Sequence, residues 1–132
     1  MLDTNILSAL IHQRRAFERV ATRIDQLKLE DRLVSAITQS EIETMIAKAG
    51  DPPKKAAQAR LVLAYLNVQD FGGSAAFYTG QIRAYLEPRG MFIGPLDTLI
   101  AAHALSLEAV IVTDNVSEFS RVPGLKVENW LR

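Results

Sequence analysis

The most constraining feature of this chain is a helix-length segment, Leu96 to Leu107, that is apolar nearly all round and is followed at once by the apolar run AVIVT at 109–113. A helix with no polar face has nothing to offer water and must be covered. A short β-branched run bounded by turn residues reads as a strand, here the best one in the sequence. Upstream the same alternation repeats. Leu2 ends a short first strand, Ile6–Ile11 and Ala16–Leu29 read as helices, and RLVSA at 32–36 as a second strand. Thr38–Lys48, Lys54–Leu66 and Ser74–Glu87 follow as helices, NVQDF at 67–71 is a short strand, and LKVENW at 125–130 the last one. In the second helix Phe17, Val20, Ala21, Ile24 and Leu27 recur at three- and four-residue steps and mark one buried face. Strands alternating with helices predict an α/β fold, a mostly parallel sheet covered on both faces. Asp51-Pro52-Pro53 is the clearest break, too short to separate domains, so residues 1–132 read as a single domain.

Composition narrows the function. The chain has 132 residues, 48% of them hydrophobic, and no cysteine. That leaves no disulfide framework and no thiolate metal site, and it fits a cytoplasmic protein. No apolar run approaches the ~20 residues of a membrane span, and no secretory signal opens the sequence. Fifteen Lys+Arg balance fifteen Asp+Glu, so a nucleic-acid partner would have to be held by local clusters rather than by the net field. Arg14-Arg15 with Arg19 and Arg23, and Lys54-Lys55 with Arg60, are such clusters, or else solvated helix faces.

Acids fall where elements end, the region where open α/β sheets bind ligands. Asp3 follows the first strand within Asp-Thr-Asn, as a cap or a site residue. Glu41 completes Thr38-Gln39-Ser40-Glu41, which matches a capping box; Glu43 is the alternate acid. Asp97 lies in the first turn of the helix opened by Gly94-Pro95, where the dipole favours an acid. Asp114-Asn115 ends the best strand, and the two should point in different directions. Carboxylates that converge repel, by ~4 kcal/mol at ~4 Å and a dielectric of 20, so a cluster calls for protons or a cation. All-oxygen ligands select a hard ion, magnesium or manganese, which suits phosphodiester hydrolysis.

Other chemistries lack their motifs. There is no phosphate loop and no dinucleotide fingerprint, no G-x-S-x-G elbow, and Asn5 replaces the second acid of an aspartyl-phosphate D-x-D. His103 falls on the Leu99/Leu107 side of its helix and reads as a core or supporting histidine. Tyr65, Tyr78 and Tyr85 with Phe71, Phe77 and Phe92 suit base stacking or, better, the core or a dimer face.

MLDTNILSAL at the start, IGPLDTLIAAHAL at 93–105 and VIVTDNVSEFSRVPGLKVENW at 110–130 resemble VapC-type PIN-domain toxins of VapBC toxin–antitoxin pairs, over essentially the whole chain. The resemblance implies a three-layer α/β/α PIN fold and an endoribonuclease acting on structured RNA, in enteric relatives the initiator tRNA. It places Asp3, Glu41, Asp97 and Asp114 at catalytic positions, Asp3 and Asp97 as direct Mg²⁺ ligands with Mn²⁺ as a substitute, and Glu41 to position or deprotonate water. Thr4, Asn5, Thr113 and Asn115 are supporting residues. The family's fourth group commonly follows Thr-x-Asp/Asn, which puts Asn115 at that position and Asp114 at the intervening one, with either able to reach metal-bound water. It also implies a homodimer, a VapB-like antitoxin, and operator DNA bound only as a complex with that antitoxin. Rival readings are a PIN nuclease acting in RNA processing or on DNA, told apart by the neighbouring gene, and a non-catalytic PIN binding module, told apart by binding without hydrolysis.

Overall fold

The computed structural model describes residues 1–132. Its elements in chain order are α1 (Thr4–Ile11), α2 (Phe17–Asp25), β1 (Leu33–Ser35), α3 (Ala36–Lys48), α4 (Pro53–Ala64), β2 (Asn67–Gln69), α5 (Gly73–Leu86), α6 (Pro95–Ser106), β3 (Ile111–Val112), α7 (Val116–Phe119) and β4 (Val127–Glu128). Single 3₁₀ turns, Leu29–Asp31 and Glu87–Arg89, follow α2 and α5. The expected elements are present with shorter strands. The long second helix breaks at Asp25, and α7 is an added short helix.

β1 pairs with β2, and β3 with β4, both parallel. Met1–Asp3 stitches these pairs together. The Leu2 amide donates to the Leu33 carbonyl (2.8 Å), and on the other side Asp3 N donates to Val112 O (2.9 Å) and Val112 N to Met1 O (2.8 Å). The row is therefore β2, β1, Met1–Asp3, β3, β4.

Strand side chains alternate between the faces, and the two cores follow that alternation. Leu2, Val34 and Val112 pack with Ile6, Ile42 and Leu63 on one face. Met1 and Ile111 pack with Ile82, Ile100 and Phe119 on the other. This is the expected three-layer α/β/α arrangement. Helix α6 is covered as its composition demands, with Ile100 to Ala104 buried in one unbroken run.

The chain runs from the central segment out to β1 and β2, then returns to the other side for β3 and β4. Helix α1, which follows the central segment, packs on the first face, whereas α7, which follows β3, packs on the second. A crevice opens where neighbouring strands send their chains to opposite faces, and that switch point lies between Asp3 and Thr113. No helix is long and apolar enough to cross a membrane.

Candidate active site

Asp3 caps α1 and is 2% exposed. Its Oδ1 accepts from the Thr4 amide (2.8 Å); its Oδ2 accepts from Thr113 Oγ1 (2.7 Å) and Asn5 Nδ2 (3.1 Å). Three donors explain how a carboxylate survives at this depth. Burial still pushes its pKa up, against those bonds, and Glu41 adds to the rise. Thr113 is reached because β3 ends beside the first segment, a contact across 110 residues.

Glu41 arrives differently from the sequence expectation. Helix α3 starts at Ala36, and Ser35 caps it by accepting from the Ile37 amide (3.1 Å). Thr38 therefore lies inside the helix, and no Thr38–Glu41 capping box forms. The earlier cap wins because Ser35 ends β1 directly and needs no intervening loop. One turn further on, Glu41 Oε1 accepts from Thr4 Oγ1 at 2.7 Å, which ties α3 to the start of α1. Glu43 lies outside the site, paired with Arg60 at 3.3 Å.

Asp97 stands in the first turn of α6. Its pKa is raised from 3.8 to about 7, first by burial, then by the charges of Asp3, Glu118 and Glu41, and by a side-chain hydrogen bond with Glu118. Asn115 Nδ2 donates to Glu118 Oε2 (2.7 Å) and, more weakly, to Asp97 Oδ2 (3.4 Å). Asp114 turns away, as the opposite directions expected for Asp114 and Asn115 require. It is exposed, accepts from Asn129 Nδ2 (2.9 Å) and lies 3.8 Å from Arg132. Only its amide serves the site, donating to Asn5 Oδ1 at 3.0 Å. The geometry thus brings Asp3, Glu41, Asp97 and Asn115 together with Thr4, Asn5 and Thr113, and leaves the Asp114 carboxylate outside.

Sequence reasoning missed Glu118. Its signal was available, since Asn115-x-x-Glu118 has the N-cap spacing of a capping box at the start of a short helix. His103 is a supporting core residue, 2% exposed. Its Nδ1 meets Ser35 Oγ at 2.7 Å, and the ring lies edge-on to Phe71 at 5.4 Å. It braces the cap of the helix that carries Glu41. Of the remaining aromatic residues, Tyr65, Phe77, Tyr85 and Phe92 are exposed, not core: Phe77 and Tyr85 lie on the outer face of α5, Tyr65 caps the end of α4, and Phe92 lies in the loop before α6.

The site has one electrostatic peculiarity. All four ion pairs of the protein lie elsewhere, so Asp3, Glu41, Asp97 and Glu118 face one another without a Lys or Arg. No three of them form a ready cage for an ion, yet they are near enough to raise the pKa of Asp97. Oxygen donors only, uncompensated by protein cations, fit a hard divalent ion.

A parallel sheet with such an all-oxygen pocket at its switch point is of the class defined by the PIN domain, and the family model described as "PIN domain" matches residues 1–125. The chain is 38% identical over 130 residues to the tRNA(fMet)-specific endonuclease VapC of Shigella flexneri, covering 98% of this chain and 96% of that one. It is 33% identical over 131 residues to ribonuclease VapC2 of Rickettsia felis, covering 98% and 96%. The crystal structure of DNA-bound VapBC from Salmonella typhimurium superposes with a TM-score of 0.90 at 37% identity, over 98% of this chain and 96% of that one. The chain belongs to the PIN-domain family, among its VapC ribonucleases.

Proposed function

We propose that this chain is the toxin of a toxin–antitoxin pair, one PIN domain over 1–132, that hydrolyses phosphodiester bonds in structured RNA with Mg²⁺. The observation that carries this is the set of carboxylates gathered at the switch point with no cation among them. Asp3 and Asp97 are the proposed ligands, Mn²⁺ being a substitute; when bound, the ion supplies a Lewis acid and acidifies water for attack on phosphorus. Oδ1 of Asp3 accepts one hydrogen bond and keeps a lone pair free, whereas Oδ2 is taken by Asn5 and Thr113. Glu41, steered by the Thr4 hydroxyl, positions the attacking water and receives its proton. Asn115 ties Asp97 and Glu118 to the end of β3 by donating to both. Asp114 contributes its amide, which orients Asn5.

The substrate reading rests on the Shigella flexneri relative, named for tRNA(fMet). The partner reading rests on the VapBC complexes this fold matches, two of them bound to DNA. By likeness, a VapB-type antitoxin covers the site, the chain pairs as a homodimer, operator DNA is bound by the toxin–antitoxin complex, and the pair acts in the cytoplasm. Incubation of purified protein with initiator and elongator tRNAs, in Mg²⁺ or EDTA, tests the activity. Discrete metal-dependent cuts in the initiator tRNA are expected, and their suppression by a co-purified antitoxin. Well-folded protein that leaves every RNA intact in Mg²⁺ and in Mn²⁺ contradicts it.

A further inference from the structure

Three arginines stand beside the acidic pocket and are not among its residues. Arg14 and Arg15 lie in the turn between α1 and α2, and Arg132 follows β4. Together with Asn5, Asp114 and Leu131 they line an open cleft of about 570 Å³. Asn5 belongs to both features, since its side-chain amide also donates to Asp3.

The turn is built to present its cations. Gln13 (φ 48°) and Ala16 (φ 68°) flank the two arginines, both in the left-handed region. Non-glycine residues seldom occupy that region, and where they do the surrounding structure holds them there. Here Arg14 N donates to Ala9 O (2.9 Å) and Phe17 N to Arg14 O (3.0 Å), which pins the turn. Both arginines are exposed, and neither joins any of the four ion pairs. Arg132 has only a long contact with Asp114, at 3.8 Å and with both side chains largely in water. More positive charge lies just beyond, where His12, Lys54 and Lys55 line an adjoining cleft. Burial, then Arg14 and Lys55, hold His12 below the usual histidine pKa.

Guanidinium groups take phosphate oxygens in pairs. No aromatic side chain lines the Arg14–Arg15 cleft, so it has cations but no platform for stacking bases. That combination suits a sugar-phosphate backbone rather than base readout. From Asn5 to Ile11 the helix rises about 9 Å, or two to three stacked nucleotides at about 3.4 Å each. A single strand reaching from the pocket to the turn would meet them with different phosphates.

We propose that this cleft is a phosphodiester-backbone site that carries the RNA strand away from the acidic pocket, with Arg14 and Arg15 as its phosphate ligands and Arg132 assisting. The inference rests on the nuclease reading above, and binding measurements separate the two. Anisotropy of fluorescein-labelled initiator tRNA is followed against salt, on an Asp97→Asn background that cannot cut. Adding Arg14→Ala and Arg15→Ala should weaken binding about tenfold. It should also reduce the slope of log K on log salt by about 1.4, near 0.7 for each single-strand phosphate contact. In the otherwise wild-type chain the same pair should raise KM and leave kcat within about twofold. Arg89→Ala, a cation on the α5 side of the sheet, should change neither affinity nor slope. Unchanged affinity and slope in the double variant, or equal losses from Arg89→Ala, would overturn the cleft. A chain that binds RNA through the two arginines and yet cuts none keeps the cleft and overturns the nuclease reading alone.

Discussion

The two ends of α1 carry opposite chemistry. At its start, carboxylates crowd a partly buried crevice and no ion pair answers them; at its end, Arg14 and Arg15 stand exposed in a pinned turn and join no ion pair. The start is organised by hydrogen bonds from Thr4, Asn5 and Thr113, the end by backbone strain and solvent. The contrast teaches that a formal net charge of +0 is a sum and not a field. Solvent-exposed charges farther apart than a Debye length, roughly 8–10 Å at ordinary salt, are largely screened from one another. A neutral chain can therefore hold a metal ion at one end of a helix and a polyanion at the other.

The contrast breaks most visibly at Asp97. Asp97→Asn should lower kcat/KM on RNA by about 10³-fold, the scale on which groups that move or stabilise charge in a transition state act. The same change should make the metal-free protein more stable near neutral pH. Asp97 keeps its proton up to about pH 7 in the folded chain, whereas the unfolded value is near 3.8. Between those pH values the folded state binds more protons, so the stability of the metal-free protein falls as pH rises and then levels off. Thermal melts in EDTA from pH 4 to 8.5 should show that decline in the wild type and a flatter profile in the variant. A wild type whose melting point ignores pH would remove the claim that the carboxylates repel.

Glu118→Gln sharpens the picture with a smaller effect. It removes one of the charges that raise Asp97, so metal-induced stabilisation should set in at lower pH than in the wild type, with cleavage reduced only severalfold. Smallest of all is Asp114→Asn. Its carboxylate faces Asn129 and Arg132 in solvent, so stability should change by less than about 0.5 kcal/mol and cleavage by less than about threefold. A loss as large as that of Asp97→Asn would put Asp114 back in the pocket.

These residues also mark how far the sequence could be read. The layered fold was legible because α6 and AVIVT leave no face for water, because α2 repeats apolar residues at helical spacing, and because strands alternate with helices along the chain. Strand lengths were not, since pairing ends where neighbours end, and within AVIVT only Ile111 and Val112 sit in register with β4. Asp3 and Asp97 could be singled out from their positions at element ends. The path of Glu41 could not, because two hydroxyl residues compete to cap α3 and only the exit direction of β1 decides for Ser35. Asn115 against Asp114 turns on which of two successive side chains faces the crevice after β3, and Glu118 follows from that choice. Arg14 and Arg15 were visible as a cluster, but their seat beside Asn5 depends on the fold.

The most direct test of the central claim is Mn²⁺ titration of the ¹⁵N-labelled protein at pH 8 and pH 6, following side-chain amide resonances by their paramagnetic broadening. The account predicts that the Asn5 and Asn115 amides broaden first, at lower Mn²⁺ at pH 8 than at pH 6, and that excess Mg²⁺ reverses the effect. Broadening confined to side-chain amides remote from the site, such as those of Gln26 and Gln81, with the Asn5 and Asn115 signals untouched, would contradict it.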